Sequence, residues 1–251
     1  TAGIHRALKL SADVGSFSLS GQAVDFTISI NVAVDAGSFA LSGQAVDFRR
    51  GLRLTADVGS FALSGQAASL ERNLKLTADV GSFALTGQAA GITRGLRLTA
   101  NVGSFALTGQ AANLLRSSKL TADVGSFSLS GQAASLERNL RLAADVGSFV
   151  INGQAVDFIV DTQEEILIAG EGVFTLAGQS ASLLVHRRLT AEAGLFSLFG
   201  QSASINVGRR LVAEVGAFAL SGQAARILVA KHLEAAVGSF TVGGQAVTLD
   251  Y

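Results

Sequence analysis

Residues 80–88, Val-Gly-Ser-Phe-Ala-Leu-Thr-Gly-Gln, are the stretch from which the whole chain is built. A Gly, a Phe two residues later, an aliphatic residue two further on and then Gly-Gln recur eleven times. The period is about 22 residues. The first Gly of the pattern lies at positions 15, 37, 59, 81, 103, 125 and 147, and, after one longer step, at 172, 194, 216 and 238. The structural positions of the repeat are Gly81, Phe83, Leu85, Gly87 and Gln88. Each copy therefore meets nearly the same surroundings, namely two neighbouring copies.

Apolar residues alternate with polar ones within each repeat, which predicts half-buried β-strands and an all-β fold. Gly81-Ser82 has the pattern of a two-residue hairpin turn with Gly first, and this turn places Val80 and Phe83 on one face. The phase slip at Gly87-Gln88 predicts a β-bulge. We therefore expect eleven β-hairpins in an extended antiparallel array.

The alternative is a parallel β-helix, or solenoid, since the length of the repeat is also a reasonable length for one coil of that fold. In that fold the Gly positions are corners, and the Phe and Gln residues stack in ladders. Stacked Gln amides are expected to hydrogen-bond to one another along the stack.

One repeat array spans residues 1–251, with an irregular insertion at 159–171. The insertion adds three residues and contains an acidic cluster of Asp161, Glu164, Glu165 and Glu171. Carboxylates at this density are compatible with calcium, but a solvated loop is the favoured explanation, and we predict no metal site. The repeat resumes after the insertion, so it does not predict a domain boundary.

Composition excludes several classes of function. The 251 residues include 19 basic and 19 acidic ones, so no net charge attracts nucleic acid. There is no Cys, no phosphate-binding loop and no pattern that joins the three His residues. No run of apolar residues is long enough for a membrane helix. We expect no enzyme, no cofactor, no nucleic-acid partner and no membrane association.

Both ends of the chain read like the interior of the array, without the polar caps that repeat proteins normally carry. We expect other copies of the same chain to cover them. The residues expected at these assembly edges are Leu8, Leu10, Val14, Phe240, Val242 and Leu249.

The units Ala-Asp-Val-Gly-Ser-Phe-Ala-Leu-Thr-Gly-Gln-Ala-Ala and Arg-Gly-Leu-Arg-Leu-Thr-Ala resemble the Gly-x-Phe-x-Leu-x-Gly-Gln repeats of phage and prophage structural gene clusters. The resemblance covers essentially the whole chain. It implies a tail-fibre, virion or fibril component and carries over no catalytic or binding residue.

The expected function is a structural subunit of an extracellular or phage-tail-like fibre that polymerises head to tail with copies of itself. The alternatives are a repetitive adhesin that recognises glycans and, from the one-sided apolar face, an outer-membrane β-barrel.

Overall fold

The computed structural model describes residues 2–4, 8–12, 14–27, 30–49, 53–71, 75–93, 96–115, 118–137, 140–144, 146–160, 166–185, 188–229 and 231–250. These residues form β-strands joined by short bends, and they include no helix. The strands belong to two sheets, of 11 and 18 strands, and every pairing described within them is parallel. The chain is therefore a parallel β-solenoid, in which each repeat makes one coil.

The smaller sheet, here the Leu-Ala sheet, takes one short strand from every repeat. Its strands are Leu8–Ala12, Ile30–Val34, Arg53–Ala56, Lys75–Ala78, Leu96–Ala100, Ser118–Ala122, Leu140–Ala144, Ile166–Ala169, Arg188–Ala191, Arg210–Ala213 and His232–Ala235.

The larger sheet takes two segments from each coil, a Phe arm before the Gly-Gln pair and an Ala arm after it. The separate Phe arms are Ser82–Thr86, Ser104–Thr108, Ser126–Ser130, Ser148–Asn152, Val173–Ala177 and Ser239–Gly243. The separate Ala arms are Ala2–Ile4, Ala89–Thr93, Ala111–Leu115, Ala133–Glu137, Ala155–Val160, Ser180–Val185 and Ala246–Asp250. Both arms form one continuous strand in Ser16–Thr27, Ser38–Arg49, Ser60–Glu71, Leu195–Val207 and Ala217–Val229.

The expected antiparallel hairpins are wrong, and the parallel alternative is correct. The backbone bonds at the Gly-Ser corner show why. The Val80 N–H donates to the Asp57 carbonyl at 2.7 Å, and the Ser82 N–H donates to the Gly59 carbonyl at 3.0 Å. Both acceptors lie in the preceding coil, so the corner is held by its neighbour in the stack. A hairpin turn would instead close its hydrogen bonds locally.

Gly81 is required at this corner by crowding and not by a positive φ. A Cβ on Gly81 would lie 2.1 Å from the Gly59 carbonyl oxygen and 3.1 Å from the Ala56 Cβ. The expected Gly-first hairpin turn, which needs φ above zero, is not formed. Gly87 has the same role at the second corner, where a Cβ would lie 2.7 Å from the Gly65 carbonyl oxygen.

The Gly-Gln pair does shift the phase of the alternation, but it is not a β-bulge. In a bulge, two residues of one strand oppose a single residue of its partner. Here Gly43 pairs with Gly65 and Ala45 with Ala67, one residue to one residue. Because every coil carries the same shift, the pair bends all coils together and separates the Phe arm from the Ala arm.

The core lies inside the coils and is formed by both sheets. Phe83 and Leu85 of the Phe arm are buried, as are Ala90 and Ile92 of the Ala arm and Ala78 of the Leu-Ala sheet. The phenyl rings from Phe39 to Phe240 follow one another with centroids 4.7 to 5.3 Å apart, all within 14° of parallel except Phe61 and Phe83 at 39°. This enclosed column keeps the apolar face from water without a second layer.

The three-residue insertion does not interrupt the stack. Phe149 pairs with Phe174 and Leu142 with Leu167 across it. The paired residues are therefore three positions farther apart in sequence at this step than elsewhere, and the strands still stack in parallel. Part of the segment predicted as irregular is ordinary strand, since Ile159 pairs with Leu184. Asp161, Glu164 and Glu165 lie outside the described residues.

Candidate functional site

One line of identical polar side chains runs along the outside of the solenoid, at the corner between the Phe arm and the Ala arm. We call it the Gln row. All of its side chains are exposed. Its members are Gln22, Gln44, Gln66, Gln88, Gln110, Gln132, Gln154, Gln179, Gln201, Gln223 and Gln245.

The local fold explains why these side chains point outward. In coil 53–71, Leu63 is buried, Gly65 is half-buried, Gln66 and Ala67 are both exposed, and Ala68 is buried again. Two consecutive exposed residues in the interior of the stack indicate a bend, because successive side chains of a straight strand alternate between faces. The Gly before each Gln permits the bend, since its missing Cβ lets the neighbouring backbone approach.

The backbone of the Gln row is tied to the stack, but its side chains are not. The Gln154 N–H donates to the Gln132 carbonyl at 2.9 Å, and the Ser180 N–H donates to the Gln154 carbonyl at 2.9 Å. The side-chain hydrogen bonds among the described residues join Ser, Asn, Asp, Glu and Arg and include none from this row. The predicted Gln–Gln ladder of hydrogen-bonded amides is therefore not formed.

A shallow open groove follows the Gln row from Gln44 to Gln245. Among the described residues, the rest of its lining comes from the residue that follows each Gln, which is Ala in most coils and Ser at 180 and 202. The groove thus combines a line of amides with a line of small side chains, and none of the described residues that line it is charged.

A second line of exposed side chains lies at the other Gly corner. We call Val58, Val80, Val102, Val124 and Val146 the Val ridge. Each of these side chains is between 58% and 66% exposed. The prediction that Val80 shares the buried face of Phe83 is wrong, because the corner turns this residue away from the core. The residue at the equivalent position of the eighth repeat is Glu171, which is also exposed; a carboxylate there was the sequence signal for exposure.

Ion pairs between coils lie on the outer faces of the C-terminal coils. Arg188 faces Glu214 at 3.9 Å, Arg226 contacts Asp250 at 2.9 Å, and Arg210 contacts Glu234. The Arg210 guanidinium donates a hydrogen bond to the Glu234 carboxylate and carries the opposite charge, so it holds the pKa of Glu234 below its usual value. Such exposed pairs add little to stability.

No cluster of three or more His, Asp or Glu side chains that could hold a metal ion exists in the part of the chain that the structure describes. Glu171, the one member of the predicted acidic cluster within that part, is exposed at a corner. Nor does any described helix have the length and hydropathy of a membrane span.

The residues expected at the assembly edges fall in the first and last described coils. Leu8 and Leu10 belong to the strand at one end of the Leu-Ala sheet, where they pair with Ile30 and Val32. Val14 is 84% exposed at its corner.

In the last coil, Phe240 and Val242 are partly buried against the core, and the Phe240 ring lies 5.2 Å from that of Phe218. Leu249 in the same coil is 57% exposed. These residues do not form one cluster, since they divide between the two ends of the stack.

Comparison with protein-family models, with curated proteins and with solved structures finds no match to this chain.

Proposed function

We propose that the protein is a structural subunit of a self-assembling extracellular or phage-tail-like fibre, in which copies join head to tail through their edge strands. The observation that carries this proposal is the unbroken, in-register parallel stack, whose backbone hydrogen bonds run along the long axis. At about 4.8 Å a coil, the eleven coils make a rod roughly 50 Å long.

Parallel coils favour head-to-tail assembly over a closed dimer. One edge of a parallel stack is the complement of the opposite edge, so two copies continue the same ladder, and contacts of this kind that do not close generate filaments. Within the described residues, the strands Leu8–Ala12 and His232–Ala235 each pair on one side only. The resemblance of the repeat to those of phage structural gene clusters agrees with a fibre located outside the cell or on a virion.

Negative-stain electron microscopy of the purified chain over a concentration series tests this proposal. We expect filaments whose length increases with concentration. The double substitution Val242→Lys and Leu249→Lys places charges where the next copy must pack, and it should abolish the filaments because an unpaired buried charge is strongly unfavourable.

The matched control is Thr241→Lys with Thr248→Lys. Both residues are exposed on the same two strands, so this variant should still form filaments. Discrete particles at every concentration of the unsubstituted chain would refute head-to-tail assembly.

A second candidate function is a repetitive adhesin whose long face recognises glycans. The observation in its favour is the Gln row, which offers the same exposed amide in every coil.

A further inference from the structure

Four positions of the repeat hold the same residue in all eleven copies: the two Gly, the Phe and the Gln. The fold explains three of them. The Phe rings stack in the core, and a Cβ on either Gly would collide with a backbone carbonyl oxygen of the preceding coil. The Gln side chain is exposed, and it joins none of the side-chain hydrogen bonds found among the described residues. The packing of the solenoid does not account for its identity.

Drift between repeats provides an internal comparison. The residue two positions before each Gln also lies on the outer face of the larger sheet, close to the same corner. It is Ser or Thr in most copies, but Asn152, Ala177, Phe199 and Gly243 in others. The position beside the Gln row therefore varies between copies of the repeat, whereas the Gln position does not. A side chain that served only to meet water would have drifted as its neighbour has.

We propose that the Gln row binds a neutral, extended polysaccharide chain that lies along the axis of the rod, with sugar hydroxyls bonded to successive amides. The proposal rests on the second candidate function above and is independent of head-to-tail assembly.

The chemistry of the groove fits hydroxyl groups. A Gln amide offers two N–H donors and a carbonyl acceptor, and a sugar hydroxyl both donates and accepts. The small Ala and Ser side chains next to the row leave room for a sugar ring to approach the amides.

The middle of the groove also selects against charge. From Gln66 to Gln132, the residues two positions before each Gln and one and three positions after it are Ser, Thr, Ala, Gly and Asn, whereas Asp or Arg lies three positions after the Gln in four other coils. A polyanion or polycation would lose water there without meeting an opposite charge. The ligand that fits this stretch is a polysaccharide without carboxylate, sulfate or amino groups.

The spacing of the row selects the linkage. Neighbouring Gln residues are separated by one strand spacing, about 4.8 Å. A β-1,4-linked hexose chain is an extended ribbon whose sugars each advance by roughly this distance. Neighbouring sugars are turned over relative to each other, but each has hydroxyls on both edges, so successive sugars present hydroxyls to successive amides. An α-1,4-linked chain coils and leaves the row after one or two contacts. Each amide contributes weakly, and affinity should rise with the number of sugars in register.

Isothermal titration with oligosaccharides tests linkage and length together. We expect cellohexaose to bind, and to bind at least about tenfold more tightly than cellotriose. Maltohexaose has the same composition and the α-1,4 linkage, and it should not bind at the same concentrations. Absence of cellohexaose binding up to about 10 mM, where even a weak site would fill, or equal binding of maltohexaose, would overturn the proposal.

Substitution of alternate members of the row tests the site itself. The variant replaces the Gln of every second coil by Ala: Gln44→Ala, Gln88→Ala, Gln132→Ala, Gln179→Ala and Gln223→Ala. Each remaining Gln of the row then has no Gln in either neighbouring coil. It should weaken cellohexaose binding by about tenfold or more, since the in-register pairs of contacts are lost there.

The control variant changes the outward residue two positions earlier in the same coils: Ser42→Ala, Thr86→Ala, Ser130→Ala, Ala177→Ser and Ser221→Ala. Its affinity should stay within about twofold. Equal affinities of the two variants would refute the assignment to the Gln row. Filament length recorded for the same variants separates the two proposals, because none of these residues lies in the first or the last coil.

Discussion

At the residue scale, Gly residues at both corners of the repeat, such as Gly81 and Gly109, are fixed by a carbonyl oxygen of the coil before them. A Cβ on Gly109 would lie 2.5 Å from the Gly87 oxygen, 3.1 Å from the Ala111 oxygen and 3.2 Å from the Gln88 oxygen. All three atoms belong to the backbone, so no side chain can rotate away. Gly91 differs, because a Cβ there has nothing within 4 Å.

These two positions make a matched pair of Gly→Ala substitutions. Gly109→Ala should lower the free energy of unfolding by about 3 kcal/mol, as overpacking against rigid neighbours does. Gly91→Ala should change it by less than about 0.5 kcal/mol. Urea denaturation followed by circular dichroism measures both. Equal destabilisation of the two variants would mean that close approach of the backbone is not what requires Gly109.

The Arg210–Glu234 pair gives a prediction about protonation. Because the folded-state pKa of Glu234 is lowered by Arg210, the pair's contribution to stability is present above the unfolded-state pKa and is lost as the pH falls through the folded-state value. Arg210→Gln should raise the Glu234 pKa, which NMR titration of the side-chain carboxyl carbon would record. Arg226→Gln removes a guanidinium that contacts Asp250 instead and should leave the Glu234 pKa unchanged.

At the scale of the element, the unit of structure is one coil, which is one copy of the repeat. Each coil contacts the coil before it and the coil after it, and such proteins gain and lose whole repeats more readily than parts of them. Deletion of residues 82–103 joins Gly81 to Ser104 and restores the repeat pattern at the junction.

The shortened chain should therefore keep the circular dichroism per residue of the full chain. Deletion of residues 82–92 removes half of that length and takes away one Phe arm with most of an Ala arm. It leaves Phe61 and Phe105 without the ring between them, and the cooperative unfolding transition should be lost. A folded product from the shorter deletion would show that the coil is not the cooperative unit.

The same scale shows how much of the fold the sequence predicts. The alternation of apolar and polar residues identified the strands, and Phe83 and Leu85 are buried as that pattern requires. Strand direction could not be read from it, because hairpins and coils produce the same period and both need Gly at their bends. The choice depends on whether the Ser82 N–H bonds within its own repeat or to Gly59 of the preceding coil, and no local pattern encodes that choice.

The candidate site was less predictable than the fold. Identity of the Gln in every copy was visible at once, but a ladder of stacked amides and an exposed row have the same sequence. They are distinguished by the side-chain hydrogen bonds of the described residues, none of which comes from the row. Val80 of the Val ridge was expected on the buried face because a hairpin turn would place it beside Phe83, but the corner that forms instead turns it outward.

At the scale of the whole molecule, the parallel stack has a mechanical consequence. Tension applied to the two ends of the rod acts along the direction in which one coil is bonded to the next, so coils should detach from an end one after another. Each detached coil releases roughly 73–79 Å of extended chain. A single molecule stretched between two surfaces should show a sawtooth of nearly equal steps. A fibre made of such rods would lengthen in small increments under load and absorb work at each one before it breaks.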